Sequence, residues 1–292
     1  MSNYQIIDAF KAAMRDTGIE PPDSIKPDGT LHRFHIAGHK SNSLNGAYKL
    51  HLDGKAAGYF EDFKSGIKAN WKSDLESKPL SDAERRKFAQ ERAAKEAEQT
   101  KQRLEAQAKA ADRAHWIWAH STAITDSNQH AYCIAKKIKP NGAHLYRGAL
   151  IYRLFDVHKK LVGIRFIHPD GNKRPLKGAL KIGAFGIIGK VQPGDTTLLI
   201  AEGFSTAASL HEASGHPVFI ATDASNMIAT AKAVRTLYPL AKIIVCADND
   251  ASGTGQKNAV AAATACKGFY IVAPDTGTDF NDLFTAEVVN EI

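Results

Sequence analysis

The sequence has few cysteines and no long apolar run, and each shortage excludes a class of protein. Three widely spaced cysteines in 292 residues exclude a disulfide framework and a zinc ribbon, and they fit a reduced cytoplasm. No apolar run approaches the ~18 residues of a membrane-spanning helix, so no membrane partner is expected. The amino terminus also lacks the apolar segment and cleavage site of a signal peptide. We therefore expect a cytoplasmic protein.

A functional P-loop is also missing. The stretch "GAFGIIGKV" at residues 183–191 has the wrong glycine spacing, and Val follows the Lys where Ser or Thr is required. The sequence therefore predicts no helicase motor of its own. A helicase partner would be a separate chain, or a further part of a larger protein of which this sequence is the N-terminal part.

The charges are distributed unevenly along the chain. Residues 1–200 contain 33 Lys and Arg against 21 Asp and Glu, whereas residues 201–292 contain 5 against 10. A basic part suggests a polyanionic partner, and an acidic part suggests a separate carboxylate site. A basic surface that only aids solubility is the alternative reading of the charge taken alone.

Four regions differ in their patterns. Residues 1–75 alternate aromatic and polar residues between glycine turns, which predicts a strand-rich module. Residues 76–115 are dominated by Ala, Glu, Lys, Arg and Gln, which predicts a long linker helix with Ser81 as its N-cap and Glu84 in the capping-box position. Residues 116–192 read as a basic α+β subdomain, and residues 193–292 as an α/β domain.

The last region alternates four short apolar strands with helical segments. The strands are "TTLLIA", "PVFIA", "KIIVCA" and "GFYIVA". Alternating strands and helices predict a small parallel sheet flanked by helices, with right-handed crossovers.

Acidic residues follow the strands of this predicted sheet. Glu202 follows the first strand, and Asp248 and Asp250 follow the third. The carboxyl ends of parallel strands meet at one edge, so these acids should lie close together. Clustered carboxylates repel one another unless a cation neutralises them, and oxygen ligands favour Mg²⁺ or Mn²⁺. Asp223, after the second strand, fits either this edge or a turn.

At these residues the chain resembles the Toprim domain family, which carries a Glu-Gly turn after one strand and a later Asp-x-Asp. The matching segments are "LLIAEG" and "VCADND", and "DTGTDFNDL" is similar to the acidic segment that follows the last strand in primase Toprim domains. The resemblance implies an α/β Toprim domain with Glu202, Asp248 and Asp250 as catalytic residues. It also implies that they bind metal together with Asp279 and Asp282.

The segment before this domain also looks like that of bacterial and phage primases. The resemblance, over roughly residues 140–285, implies that basic residues hold template or nucleotide phosphates. Asn226, near Asp223, is a further candidate at the carboxylate edge. The basic candidates are Arg165, Lys173, Arg174 and Lys181, and Asn226 completes the predicted nucleotide- and template-binding residues.

The N-terminal module resembles that of plasmid and phage primase-like proteins. It stands where replicative primases have a zinc-binding domain, but it has no cysteine, so no zinc is expected. Aromatic side chains among lysines can stack on bases and hold phosphates of single-stranded DNA, although some aromatics must form the module's core. The predicted DNA-binding residues are Phe34, Lys40, Tyr48, Lys49, Phe60, Lys64 and Trp71.

These features together predict a DNA primase. It would make short primers on a single-stranded DNA template from nucleoside triphosphates, with Mg²⁺ or Mn²⁺, during replication of a phage, plasmid or other mobile element. Two alternatives stay open from the sequence. One is a metal-dependent Toprim nuclease, and the other is a non-catalytic single-stranded DNA-binding replication accessory.

Overall fold

The computed structural model describes residues 3–40, 42–52, 55–73, 82–194 and 196–290. The chain divides into two compact units, Met1–Glu98 and Gln99–Ile292, here called unit 1 and unit 2. The domain limits at residues 75, 115 and 192 stay predictions. The predicted cap Ser81 and the side chain of Glu84 lie outside the described part.

Unit 1 begins with a helix, followed by a four-stranded antiparallel sheet with its strands in sequence order. The elements are α1 (Asn3–Asp16), β1 (His32–Phe34), β2 (Gly46–His51), β3 (Ala57–Asp62) and β4 (Lys68–Lys72).

Helix α1 covers one face of this sheet. Phe10 is fully buried and makes edge-on ring contacts with Tyr48, Phe60 and Trp71, at centroid distances of 6.4, 5.6 and 5.3 Å. A Cβ on Gly58 would lie 2.4 Å from the Phe10 ring, so only glycine lets the helix approach this closely. The inner face of the sheet is therefore a packed core.

This packing corrects the role predicted for the aromatic residues of unit 1. Phe34, Tyr48 and Phe60 are 7%, 3% and 1% exposed, and Trp71 packs against the same cluster. A base cannot stack on a ring that is already enclosed by protein. Phe34, Tyr48 and Phe60 therefore stabilise the module and are not open to DNA, whereas Trp71 is only partly buried.

A long helix, α2 (Asp82–Ala119), follows the first sheet. Most of its residues are exposed, as the composition predicts. In its last turns, however, Ala110, Ala114 and Ile117 are buried against Ile151 and Ile164. The helix therefore extends beyond the predicted linker and ends as part of the packed structure of unit 2.

The second sheet belongs to the basic subdomain and is antiparallel, with strand order β5-β6-β7-β8-β9. Tight turns at residues 156–160 and 169–173 connect its last three strands. Its elements are β5 (Thr122–Ala123), α3 (Ala131–Lys136), β6 (His144–Tyr146), β7 (Ala149–Phe155), β8 (Leu161–Ile167) and β9 (Lys173–Pro175).

The third sheet contains the four predicted strands in parallel, plus one antiparallel edge strand, in the order β10-β12-β11-β13-β14. Its elements are β10 (Gly186–Ile188), β11 (Thr197–Ala201), α4 (Phe204–Ser214), β12 (Val218–Ile220), α5 (Met227–Leu237), β13 (Lys242–Ala247), α6 (Thr254–Cys266), β14 (Phe269–Val272) and α7 (Phe280–Asn290).

Helices cover the faces of this sheet, so its central strands are almost entirely buried. Leu198, Ile200 and Ala201 are fully enclosed on β11, as are Ile243 and Val245 on β13. Such continuous apolar strands are typical of parallel sheets covered on both faces. No helix in the described part of the chain is both long and apolar enough to cross a membrane.

Candidate metal and nucleotide site

Glu202 and Asp248 begin the loops that leave two neighbouring strands. Glu202 follows β11 and Asp248 follows β13, and these strands pair directly, with Ala201 opposite Cys246. From β11 the chain turns to β12 on one side and later returns to β13 on the other. Open α/β sheets bind ligands at such a reversal of strand order.

Asp248 has the most strongly perturbed acid group of this edge. Burial, together with the negative charges of Asp279 and Glu202, raises the pKa of its carboxyl to about 7. Its Oδ1 is buried and has no hydrogen-bond partner among the described residues. A buried carboxylate oxygen without a partner is costly, and a bound cation removes that cost.

Glu202 shares this environment. Burial raises the pKa of its carboxyl, the nearby charge of Asp223 raises it too, and Lys173 acts in the opposite direction. Two carboxyl groups with raised pKa values at one edge mark a candidate functional site.

Asp250 is bonded differently from Asp248. Its Oδ2 accepts a hydrogen bond from Gly255 N at 2.6 Å, and its Oδ1 accepts one from Thr254 N at 3.2 Å, at the start of α6. These bonds, together with one from the Ser252 hydroxyl, lower the pKa of the Asp250 carboxyl. Asp250 is therefore an ionised helix cap, and its free lone pairs are fewer than those of Asp248.

Asn249 separates the two aspartates and points to a different loop. Its amide donates to Ala273 O at 2.9 Å, and its Oδ1 accepts from Gln256 Nε2 at 2.7 Å. These bonds hold the Asp-x-Asp loop against the chain that follows β14. They explain why a polar residue stands between the two acids.

Asp279 and Asp282, in the acidic segment after β14, have different partners. Asp279 accepts the backbone N–H groups of Asn281 and Asp282 with Oδ1, and its Oδ2 accepts from the Thr206 hydroxyl at 3.3 Å. Its charge raises the pKa of Asp248, so it faces the same site. Asp282, by contrast, accepts from the Asp279 N–H and lies 3.8 Å from the Lys136 ammonium.

Two of the predicted basic residues lie close to the acids. The charge of Lys173 lowers the pKa of both Glu202 and Asp248, and its Nζ lies 3.6 Å from the point that a Cβ on Gly203 would occupy. Arg165 on β8 donates to Thr222 O at 3.4 Å, while its Nε is buried without a partner. The hairpin of β8 and β9 therefore brings positive charge to the carboxylate edge.

The other predicted basic residues are less closely involved. Lys181 lies 3.5 Å from the Asp223 carboxylate, which makes Asp223 part of an ion pair at the rim. Arg174 is exposed on β9 and has no bonded partner among the described residues.

Asn226, predicted to bind nucleotide or template, instead forms hydrogen bonds within the protein. It is fully buried, donates to Ala184 O and Ala221 O at 2.8 Å each, and accepts from Gly183 N at 2.7 Å. Both amide hydrogens are used, so the side chain has no donor left for a nucleotide.

The pattern of acids did not indicate two threonines at this edge. Thr206 follows the Glu-Gly turn and donates to Asp279, and a hydroxyl in the first turn after a candidate acid could have suggested it. Thr222 has φ = 73°, a left-handed conformation that is unfavourable for a β-branched residue. No sequence signal marks it; such strain is concentrated at ligand sites.

The carboxylates of this site suit a cation such as Mg²⁺ or Mn²⁺ that keeps part of its water shell. Among the described residues they do not form a complete set of protein ligands around a metal. Within the described ranges, no three His, Cys, Asp or Glu side chains converge closely enough to enclose a metal by themselves. Mg²⁺ usually keeps several waters and binds one or two carboxylates together with substrate phosphates. The unpartnered Asp248 Oδ1 provides such a ligand position, with Glu202 and Asp279 beside it.

The fold and the position of these acids agree with the resemblance to the Toprim domain family. Residues 197–288 match the family model described as the Toprim domain. This match covers the third sheet from β11 onwards, and it includes Glu202, Asp248, Asp250, Asp279 and Asp282.

Two curated relatives extend the similarity to the rest of the chain. The sequence is 32% identical to DNA primase TraC of Escherichia coli over 294 aligned residues, which is 94% of this chain and 20% of the relative. It is 29% identical to a second DNA primase TraC of Escherichia coli, over 83% of this chain and 23% of the relative. The chain thus spans about a fifth of the length of these relatives. The matches confirm the resemblance to Toprim-domain DNA primases.

Solved structures give a weaker likeness. The primase fragment of the bacteriophage T7 primase-helicase protein is 19% identical, with 55% of this chain and 66% of that chain covered and a TM-score of 0.41. The DnaG catalytic core is 16% identical, with 51% and 53% covered and a TM-score of 0.36.

Proposed function

We propose that this chain is the primase part of a plasmid or phage replication protein and makes short primers on single-stranded DNA. The observation that carries the proposal is the buried, unpartnered Asp248 Oδ1 at the carboxylate edge of a Toprim domain. The similarity to DNA primase TraC over most of the chain supports the same activity. The reaction would take place in the cytoplasm, where template and nucleotides are available.

In this reaction the 3′-hydroxyl oxygen of the growing strand bonds to the α-phosphorus of the next nucleotide, and pyrophosphate leaves. Asp248 and Asp279 would hold Mg²⁺ or Mn²⁺, with Asp250 capping α6 and supporting the loop. The cation would neutralise the triphosphate and lower the pKa of the attacking hydroxyl. Glu202 would either be a further ligand of the cation or, with its raised pKa, accept the hydroxyl proton.

The basic residues would hold the phosphates. Lys173 is positioned beside the acids, and Arg165 has an unused Nε–H at the same edge. Lys181 and Arg174 lie further out, where they would contact the template rather than the reacting phosphate. Asp282 and Asn226 support the acidic loop and the strand ends through their hydrogen bonds.

The experiment that tests the proposal is primer synthesis by the purified chain. Single-stranded DNA, labelled nucleoside triphosphates and Mg²⁺ or Mn²⁺ are incubated with the wild type and with Asp248→Ala and Glu202→Ala. Short labelled products made only by the wild type support the primase. Metal-dependent cutting of the DNA without primer synthesis would show that the chain is a nuclease and not a primase. Salt-sensitive DNA binding in all three proteins, without either reaction, replaces the primase with a binding accessory.

The charge of Lys173 leads to a prediction about pH. Lys173→Gln removes a positive charge that lowers the pKa of Asp248, so more of that carboxyl stays protonated near neutral pH. The acidic limb of the pH–activity profile should move to higher pH, by up to about one unit. Lys177→Gln, which changes an exposed lysine of the same segment, should leave the limb unchanged. An unchanged limb in Lys173→Gln would contradict the assignment.

Unit 1 would contact single-stranded DNA through exposed side chains. Lys40 and Lys64 are exposed, and Lys49 is partly exposed on the sheet. The Arg33 guanidinium lies 3.9 Å from the centroid of the Phe63 ring, which is 46% exposed. An exposed aromatic ring with a cation against it can stack on a base of any sequence.

Phe63→Ala should therefore weaken the affinity for a labelled oligonucleotide by about 1 to 3 kcal/mol, because one stacking contact is lost. Fluorescence anisotropy with the full chain measures this change. Phe60→Leu is the matched control, because Phe60 is a core residue: it should lower the melting temperature and leave the affinity of folded protein unchanged. Unchanged affinity in Phe63→Ala, together with weaker affinity in folded Phe60→Leu, would contradict this assignment and favour DNA contact by the inner aromatic residues.

A further inference from the structure

A groove lies at the edge of the third sheet opposite the acids. It has a volume of about 700 Å³, within the usual range of ligand sites. Ile188 precedes the groove residue Gly189 and pairs with Val218, the first residue of β12. The groove is therefore at the amino end of β12, whereas the acids follow the carboxyl ends of the parallel strands. His211 and Tyr238 lie at the far ends of α4 and α5, two 11-residue helices of roughly 16 Å that begin near the acidic edge.

All fully charged side chains that line this groove are positive. Arg153 and Lys190 line it directly, and Lys159 holds its ammonium 5.3 Å from the Tyr238 ring. Arg153 lies against the rings of Trp118 and Phe155, at 4.5 and 5.3 Å. Among the described residues neither Arg153 nor Lys190 has a carboxylate or hydrogen-bond acceptor for its charged group. Their charge is available to a ligand.

Two described acids stand next to groove residues in the sequence, and neither pairs with these cations. Asp156 follows Phe155, and its Oδ1 accepts from His158 N at 2.8 Å and Lys160 N at 2.9 Å. Glu212 follows His211, but its Oε1 already accepts from Lys139 N at 2.9 Å and from the Asn141 amide at 2.6 Å. The imidazole of His211 is held by a bond of 2.7 Å between its Nδ1 and His216 O. Among the described residues that line the groove, Arg153 and Lys190 therefore carry the formal charges, and both are positive.

The apolar part of the lining is aromatic and aliphatic. Phe155, Ile187, Val191 and Tyr238 provide flat or apolar surface beside the two cations. Guanidinium and ammonium groups bind phosphate, and aromatic rings stack on bases. Both chemistries occur together in a nucleotide unit, and a groove open along the surface lets a strand enter and leave.

We propose that this groove binds a segment of single-stranded DNA, with phosphates at Arg153 and Lys190 and a base against Tyr238. The proposal rests on the proposed function, in that the bound strand would be the template. It adds a second anchoring point, about one helix length from the reacting acids.

The test measures how DNA affinity depends on salt. Each phosphate contact with a single strand contributes about −0.7 to the slope of log K against log[salt]. Arg153→Gln/Lys190→Gln should make the slope of the full chain shallower by about 1.4 and weaken the affinity about five- to tenfold at low salt. Lys190→Gln alone, at an exposed position, should give half the slope change without any packing loss. Lys232→Gln, an exposed lysine on α5 outside the groove, should match the wild type.

A photo-cross-link locates the contact independently. An oligonucleotide carrying 5-iodouridine should cross-link to the peptide that contains Tyr238, and the double variant should lose that product. Wild-type slopes in both groove variants would overturn the proposal, as would loss of free nucleotide binding with unchanged oligonucleotide binding. If the wild type makes no primers but the slopes change as stated, the primase proposal fails and the DNA groove stands.

Discussion

Replacing Asp248 with asparagine is expected to stabilise the metal-free protein and to abolish its activity. The Asp248 carboxyl has a folded-state pKa of about 7, above its ordinary value of 3.8, because burial and neighbouring acids disfavour its charge. The folded state thus holds a proton that the unfolded state has already released. The stabilisation from this group is full below about pH 4 and is lost as the pH rises through 7.

Asp248→Asn keeps the shape and cannot ionise. Its advantage in free energy of unfolding over the wild type should therefore grow between pH 4 and pH 8, to a few kcal/mol, since each pKa unit corresponds to about 1.4 kcal/mol. Added Mg²⁺ should raise the melting temperature of the wild type but not of the variant. Primer synthesis should fall by roughly 10²- to 10³-fold or more, because the transition-state charge is no longer neutralised.

Asp250→Ala is the matched comparison. Asp250 caps α6, so its removal should destabilise the protein at neutral pH. The two neighbouring acids are thus expected to change stability in opposite directions. Thermal denaturation with and without Mg²⁺ measures both. A less stable metal-free Asp248→Asn protein at pH 8 would contradict the electrostatic argument.

Asn226→Ala is expected to cause a large loss of stability and a small change in nucleotide affinity. The Asn226 side chain satisfies the carbonyls of Ala184 and Ala221 and the N–H of Gly183, all within hydrogen-bond distance in the interior. Each buried polar group left without a partner costs about 1 to 3 kcal/mol. The free energy of unfolding should therefore fall by roughly 3 kcal/mol or more.

Urea denaturation measures this loss, and KM for nucleoside triphosphates measures any direct role. Asn258→Ala provides the control, because the Asn258 amide bonds only to Thr254 O within its own helix. Its effect should stay within about 0.5 kcal/mol. A raised KM in Asn226→Ala, together with wild-type stability, would restore the nucleotide-binding role predicted from the sequence.

The elements that local patterns predict well are those with short-range causes. Helix α2 follows from a long stretch of helix-forming residues, and β11 to β14 follow from short apolar runs separated by helical segments. The antiparallel strand β10 was not expected in the third sheet. Its pairing with β12 depends on contacts between residues 30 to 34 positions apart, which leave no periodic signal in either segment.

The sequence alone determined that acids would meet at one edge, because the carboxyl ends of parallel strands share that edge whatever the packing around them. Only the tertiary structure decided their roles. It left Asp248 Oδ1 buried without a partner, used Asp250 as a helix cap and brought Lys173 in from another sheet. The same holds for unit 1, where enclosure by α1 makes Phe60 a core residue while Phe63 stays exposed. Burial and partners depend on distant segments, and these determine pKa and access.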